Sequence, residues 1–194
     1  MRIIDITRTI QEAPMYPGSE PVEITKLRDM ANGDEYNESF IKAECHMGTH
    51  ADAFSHFLAE SDVSIDRMPL ENYCGNCRVI SVPETELITL DDIRGRLEGA
   101  ERIVLHTGGS TYLCEEAAEY IGACGVKLVV TDALSVAPLD NEAAIHRILA
   151  ESGVAIVENA VLDGVDDGEY LIFAFPAKYG GSEGAPVRAV LVTR

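Results

Sequence analysis

Four side chains that can bind a metal ion or carry a proton lie within 11 residues of one another in this chain. They are three histidines and one aspartate: His46, His50, Asp52 and His56. Imidazole nitrogen and carboxylate oxygen together suit a borderline divalent ion such as zinc or manganese. The chain has only five histidines, so three of them in one short segment indicate a metal site.

The spacing of these residues requires a bend in the chain. All four occupy even positions, which share one face of an extended segment. A straight strand would hold His46 and His50 about 13 Å apart, whereas imidazole nitrogens bind zinc at about 2.0–2.1 Å. Gly48 lies between them and can adopt backbone conformations closed to other residues. We therefore expect a bend at Gly48, with His50 and Asp52 following it on one face.

A second pair of candidate ligands lies further along the chain. His146 belongs to the predicted helix Asn141–Ala150, which ends near Gly153, and Glu158 follows the apolar strand Val154–Val157. The helix and the strand run in opposite directions, so the two side chains can meet at one edge. Active sites of α/β proteins favour the carboxyl ends of strands. The alternative is an ordinary surface histidine and a strand-end acid.

Strand-like and helix-like segments alternate from residue 77 onward. The predicted strands are Ile3–Ile6, Glu38–Cys45, Cys77–Val82, Arg102–His106, Leu128–Thr131, Val154–Val157, Leu171–Phe175 and Val187–Val192. The first predicted helix begins after Thr89 and has Ile93 and Leu97 at helical spacing. Two further helices are predicted, Glu115–Ala123 and Asn141–Ala150. This alternation is typical of an α/β domain with some parallel strand pairing. No change in composition marks a linker, so we expect a single domain over residues 1–194.

Composition restricts the partners of the protein. With 15 basic and 33 acidic residues the formal net charge is -18, which disfavours binding to nucleic acid and to anionic membranes. No run of 18 apolar residues or signal peptide is visible, and the odd count of five cysteines predicts reduced thiols in the cytoplasm. Cys74 and Cys77 form a CxxC pair without further soft ligands nearby, so we interpret them as structural. We expect a small-molecule substrate.

The segment His46-Met-Gly-Thr-His50-Ala-Asp52-Ala-Phe54-Ser-His56 resembles the signature HxGTHxDxPxH of the metal-dependent cyclase family. That family includes bacterial kynurenine formamidase and isatin hydrolase. The opening segments 5–7 and 16–18 and the closing segment 178–188 also resemble those of the family. The resemblance therefore spans nearly the whole chain.

The resemblance implies a fold, a ligand set and an assembly. The implied fold is a swivelling β/β/α domain with a mixed sheet, and the implied assembly is a homodimer or homotetramer. One or two ions, zinc or alternatively manganese, would be bound per chain. The implied ligands fall into two groups that share Asp52: His46, His50 and Asp52, then Asp52, His146 and Glu158. His56 would carry protons instead of binding metal.

Two positions depart from the family pattern. Phe54 stands where the motif has proline, and Tyr16 stands where kynurenine formamidases have tryptophan. Both positions are expected to contact the substrate. The departures leave the metal chemistry unchanged and concern the choice of substrate.

The predicted activity is hydrolysis of an amide or ester bond in a small molecule, such as an N-formyl aryl amide, a cyclic amide or a lactone. A bound metal lowers the pKa of water from about 15.7 to about 7 and so supplies hydroxide, with His56 as the proton carrier. Thr49 or backbone N–H groups are candidate oxyanion donors. A non-catalytic metal-binding or ligand-binding protein and a metal-dependent lyase or cyclase are the alternatives. His56 favours catalysis, because a structural site gains nothing from an unbound base.

Overall fold

The computed structural model describes residues 1–193, which form a large mixed β-sheet covered by helices. The strands are β1 (Ile3–Asp5), β2 (Glu23–Arg28), β3 (Glu38–Lys42), β4 (His50–Asp52), β5 (Cys74–Ser81), β6 (Leu87–Ile88), β7 (Arg102–His106), β8 (Tyr112–Leu113), β9 (Leu128–Thr131), β10 (Ala155–Glu158), β11 (Gly168–Phe173), β12 (Gly184–Pro186) and β13 (Val190–Val192). The α-helices are α1 (Leu90–Ile93), α2 (Glu115–Ala123) and α3 (Glu142–Glu151). Short 3₁₀ turns cover Ile10–Glu12, Met30–Asn32, Phe54–His56, Ile65–Arg67 and Leu70–Tyr73.

The main sheet has nine strands in the order β1-β13-β11-β5-β7-β9-β10-β4-β12. The central strands β5, β7, β9 and β10 pair in parallel, and the strands on both sides of them pair antiparallel. This architecture confirms the predicted α/β class with a mixed sheet. Where β10 meets β4, the register places Glu158 opposite His50 and Ile156 opposite Asp52. The sheet thus brings both groups of candidate ligands to one edge.

Both faces of the central strands are buried, since alternate side chains enter two separate cores. Val79, Val104 and Val130 face one core, which is closed by the loops and the outer strands. Ile103 and Val129 face the other core, which is covered by the three helices. The apolar runs that predict these strands are therefore explained by burial on both sides.

Helix α1 is shorter than the sequence predicts. It ends at Ile93, whereas the helical spacing predicts a continuation to Leu97. Gly95 adopts φ 74°, a left-handed conformation that stops the helix one residue after its C-cap, Arg94. Leu97 is buried all the same, so its apolar character reports burial instead of helical structure.

The hairpin β2–β3 forms a two-stranded sheet of its own, apart from the main sheet. The sequence pattern predicts the extended segment of β3 but not β2. Every residue of both strands is exposed, including the apolar side chains of Ile24, Leu27, Phe40 and Ile41. An isolated hairpin is at best marginally stable in water. These exposed side chains make the hairpin a candidate contact surface.

Arg102 holds the turn that leads into β5. This arginine is only 4% exposed, and its guanidinium donates hydrogen bonds to the backbone carbonyls of Glu71, Asn72 and Asn76. These three hydrogen bonds fix the start of β5 beside β7. Gly75 is needed at this point, because a Cβ atom there would lie 2.7 Å from an Arg102 nitrogen.

Replacing Arg102 by methionine is expected to lower the free energy of unfolding by about 3 kcal/mol, because the buried carbonyl of Asn72 and the part-buried carbonyls of Glu71 and Asn76 lose a charged donor. Urea denaturation measures the change. Arg147→Met, which alters an exposed arginine of α3, is the matched control and should stay within about 0.5 kcal/mol of the wild type. Equal losses in the two variants would contradict the role of Arg102.

Candidate metal centre

A glycine turn presents the first group of ligands. Gly48 has φ 71°, and a Cβ atom there would lie 3.3 Å from Ile10. The turn is the bend that the spacing of His46 and His50 requires, and β4 begins directly after it. Gly184 of β12 leaves room for the imidazole of His46, because a Cβ atom on Gly184 would lie 2.6 Å from that ring.

The five predicted ligands converge at the edge where β4 meets β10. Two groups have donor atoms within 4.8 Å of one another: His46, His50 and Asp52 form one, and Asp52, His146 and Glu158 form the other. Asp52 belongs to both: Oδ1 lies 2.9 Å from His46 Nδ1 and Oδ2 lies 3.5 Å from His146 Nε2. The structure therefore brings together every residue of the predicted ligand set. Their binding of metal stays a prediction at this point.

Backbone carbonyls orient two of the histidines. His50 Nδ1 lies 3.0 Å from the carbonyl oxygen of Gly48, and His146 Nδ1 lies 2.8 Å from that of Glu142. A ring whose Nδ1 donates to a carbonyl keeps Nε2 free for a metal, an arrangement typical of metal-binding histidines. Both Nε2 atoms point to the carboxylates, at 3.4 Å from Glu158 for His50 and 3.1 Å for His146. These contacts fit a divalent ion.

The buried charges of the centre shift one another's ionisation. Burial opposes the charged forms, but contacts with the carboxylates outweigh it and raise the pKa of His50 to about 8 and that of His146 above its usual value. Burial also acts against ionised Glu158, yet His146 and His50 hold its pKa at about 2. The pKa of Asp52 is lowered in the same way by His146 and His46. Without metal, protonated imidazoles thus balance the two carboxylates.

His56 lies beside the ligands without joining either group. Its ring stacks on His46 at 4.1 Å between centroids and meets the edge of Phe57 at 4.3 Å. Burial lowers the pKa of His56 from its usual value. The lowered pKa favours the neutral imidazole, which can accept a proton as its predicted role requires.

A cavity of about 250 Å³ opens in front of these residues. Its wall contains the five ligands and seven further residues: Tyr16, Ser19, Glu44, His56, Phe57, Leu134 and Glu142. Tyr16 lines this cavity, and its contact with the substrate stays a prediction. Phe54 is not part of this wall and packs against the apolar core. Its predicted contact with substrate stays a prediction, and Phe57 supplies the aromatic surface instead.

Thr49, a candidate oxyanion donor, has its hydroxyl engaged elsewhere. Oγ1 donates to the carbonyl oxygen of Asn159 at 2.7 Å and accepts the N–H of Arg8 at 2.8 Å. The side chain is buried and absent from the cavity wall. Thr49 therefore ties the start of β4 to the end of β10, and the oxyanion role has no geometric support.

Six residues of the site are not predicted from the sequence: Ser19, Glu44, Phe57, Leu134, Glu142 and Gly184. Phe57 directly follows the motif and packs on both His56 and His146. Glu142 precedes His146 by four residues, one helical turn, which is a signal that the spacing contains. Gly184 carries no such signal, because its role depends on a contact with a residue far away in the sequence.

Comparisons with known proteins identify relatives of this chain. Residues 4–138 match the family model for Cyclase. Kynurenine formamidase from Bacillus cytotoxicus is 33% identical over 201 residues, which cover 97% of this chain and 96% of that protein. A solved structure described as a "potential metal-dependent hydrolase with cyclase activity" has a TM-score of 0.85 at 27% identity and covers 98% of this chain and 96% of its own.

A structure at lower sequence identity shares the same fold. Isatin hydrolase A from Labrenzia aggregata superposes with a TM-score of 0.86 at 20% identity, covering 100% of this chain and 94% of its own. Together with the ligand geometry, these likenesses define a metal-dependent hydrolase. The chain belongs to the Cyclase family.

The ionisation of the centre predicts how the metal-free protein responds to pH. The pKa of His50 is about 8 in the folded state against 6.5 when unperturbed, so its stabilisation is complete below pH 6.5 and lost as the pH rises through 8. The carboxylates have lowered pKa values, so their stabilisation is lost only as the pH falls below their unperturbed values. We expect chelator-treated protein to denature at lower urea concentration at pH 9 than at pH 6.

Zinc-loaded protein is the control for this experiment. Metal binds the deprotonated imidazoles, so loading should remove or reverse the loss of stability at pH 9 and should release protons at pH 7. Calorimetric titration in buffers of different ionisation enthalpy measures that release. Identical urea midpoints for the metal-free protein at pH 6 and pH 9 would contradict the assigned charge balance.

Proposed function

We propose that this protein hydrolyses the amide bond of a small N-formyl aryl amide, or the related bond of a cyclic amide or lactone. The observation that carries the proposal is one shared carboxylate, Asp52, between two groups of ligand atoms, with the unbound base His56 beside them on a cavity wall. The printed name of the Bacillus cytotoxicus relative, kynurenine formamidase, supports the formyl amide as the first substrate class to test.

The two groups of ligand atoms offer room for one or two ions per chain, and zinc is the first candidate, with manganese as the alternative. His46, His50 and Asp52 would hold one ion, and Asp52, His146 and Glu158 the other. Bound ions of this kind supply a Lewis acid for the carbonyl oxygen and lower the pKa of water. The chain contributes ligand orientation, through the carbonyls of Gly48 and Glu142, and a base.

His56 is the residue proposed to move the proton. Because burial lowers the pKa of His56 and so favours the neutral imidazole, the ring can take a proton from the attacking water. The same proton can then pass to the leaving nitrogen, which makes the amine a better leaving group. Stacking on His46 and contact with Phe57 hold the ring at the cavity wall during both transfers.

The walls of the cavity favour a small aromatic or cyclic substrate. Phe57, Leu134 and Tyr16 provide apolar surface next to the ligands. A volume of about 250 Å³ limits the substrate to a small molecule. Phe57 also packs on the ring of His146 at 4.3 Å between centroids, so an aromatic group bound there would lie close to the second group of ligands.

Metal content and product analysis together test the proposal. Protein purified without added metal or chelator should contain one or two equivalents of zinc or manganese, and His50→Ala should contain less. The wild type should release formate and aniline from formanilide, products that a binding protein or a lyase would not give. A wild type that binds neither zinc nor manganese would refute the metal centre. A metal-loaded protein inert towards formanilides, lactams and lactones would refute the substrate class.

Replacing His56 by glutamine should lower kcat by about 10³-fold, because a positioned acid–base group contributes about 10²–10⁴-fold. The metal content should stay at the wild-type level, since His56 belongs to neither group of ligand atoms. Elemental analysis and turnover of formanilide are measured on the same preparation. Full turnover in His56→Gln would rule out the proton role, and loss of metal would assign His56 a structural role instead.

We also propose that the chain works as a homo-oligomer in the cytoplasm. The hairpin β2–β3 exposes apolar side chains, and an isolated hairpin is at best marginally stable in water. Contact with a second copy of the chain would bury these side chains and stabilise the hairpin. Five free cysteines support a reducing compartment. None of the helices in residues 1–193 has the length and apolar character needed to cross a bilayer.

Ile41→Lys tests the hairpin as the subunit contact. Ile41 pairs with Ile24 across the hairpin and is 58% exposed, so a charge there would be buried unpaired in an interface. The variant should change from oligomer to monomer in light scattering. Leu139→Lys, a substitution at a similarly exposed residue outside the hairpin, should keep the assembly of the wild type. A wild type that is monomeric at micromolar concentration would contradict the proposal.

A further inference from the structure

Glu142 lies at the mouth of the cavity, one helical turn before the ligand His146. The two residues are four positions apart on α3, which corresponds to about 6 Å along the helix axis. Both line the cavity. The carbonyl oxygen of Glu142 accepts the hydrogen bond from His146, so the backbone of Glu142 already belongs to the support of the metal centre. Its carboxylate is available for a separate role.

A tyrosine from the other end of the chain holds this carboxylate in place. The hydroxyl of Tyr16 donates to Glu142 Oε2 at 2.7 Å. This hydrogen bond raises the pKa of Tyr16, so the phenol stays neutral and the pair keeps the single negative charge of Glu142. A carboxylate can accept further hydrogen bonds on both oxygens. The pair therefore presents a fixed anionic acceptor beside the reacting centre.

The other residues of the cavity wall add to the negative charge of Glu142. Glu44 also lines the cavity, and its pKa is lowered by hydrogen bonds from Ser19 and from the N–H of Glu20. Of the described residues in the wall, none is lysine or arginine. An anionic substituent at the mouth would meet charges of its own sign, whereas a cation would be attracted.

We infer that Glu142, held by the Tyr16 hydroxyl, selects substrates that carry an ammonium group about one helical turn away from the bond to be hydrolysed. This selection rests on the proposed function, because it needs the reacting bond to lie at the metal centre. The ammonium group would donate to the carboxylate of Glu142 while the aromatic or cyclic part of the substrate packs on Phe57. Glu142 is thereby a specificity residue and takes no part in proton transfer.

A matched series of substrates tests the inference. Formanilides with a para aminomethyl, hydroxymethyl or carboxymethyl group share the reacting bond and differ in charge. The ratio of kcat/KM for the cationic and the neutral compound should be about fivefold in the wild type, the size expected of a partly exposed ion pair. The anionic compound should be the poorest substrate. A ratio of one, or a preference for the anion, would overturn the inference.

Two single-charge variants separate the local effect from the net charge of -18. Glu142→Gln should abolish the preference for the cationic substrate, and Tyr16→Phe should weaken it, because the carboxylate loses its anchor. Glu151→Gln removes the same charge at the far end of α3 and should keep the wild-type ratio. If Glu142→Gln and Glu151→Gln lowered the ratio equally, the preference would come from the general field and the inference would be wrong.

A binding experiment separates failure of the inference from failure of the proposed function. If zinc-loaded protein hydrolyses none of the formanilides, the N-formyl aryl amide is refuted as the substrate, and the cyclic amides and lactones are left to test. The selection is then judged by calorimetric binding of 4-(aminomethyl)aniline and 4-(hydroxymethyl)aniline to wild type and Glu142→Gln. Tighter binding of the ammonium compound that disappears in Glu142→Gln would support the charge selection on its own. Equal binding of the two compounds by the wild type would overturn it.

Discussion

The carboxylate of Asp52 is 5% exposed and lies between imidazoles from distant parts of the chain. A buried carboxylate is costly unless it is paired, so its position dictates what surrounds it. His46 and His146 approach it from opposite sides, and Glu158 adds a second buried negative charge nearby. The arrangement is stable only while protons or metal ions balance the two carboxylates. The remaining features of the site serve to keep these groups close together in spite of that cost.

The sheet supplies the rigidity that this balance requires. Strand β4 is only three residues long, yet it pairs with β10 on one side and β12 on the other, which fixes His50 and Asp52. The hydroxyl of Thr49 adds a hydrogen bond between the ends of β4 and β10. Because both neighbours hold β4, its side chains have little freedom to move away from the opposing ligands. Rigid placement of this kind keeps ligands ready for a metal without reorganisation.

The sequence predicts the contents of this site better than its walls. The bend at Gly48 follows from strand rise, a local quantity. Helix rise and chain direction allow His146 to meet Glu158, and the family resemblance makes both of them expected ligands. The contact between Tyr16 and Glu142 joins residues 126 positions apart, and no local pattern encodes it. Phe57 lines the cavity and Phe54 does not, because Phe54 packs against the apolar core. No local pattern in the sequence distinguishes these two positions. The shortened α1 depends on the conformation that Gly95 adopts, which apolar spacing does not report.

The position of β4 in the sheet has a consequence for biosynthesis. His50 and Asp52 are made early, but the strands on both sides of them, β10 and β12, begin at residues 155 and 184. During translation the first ligands therefore lack their partner strands until the residues of β10 and β12 have left the ribosome. Long-range pairings of this kind form late, because the intervening chain must first be ordered. A site that needs both groups of ligands can therefore form only after the residues of β10 and β12 have been made.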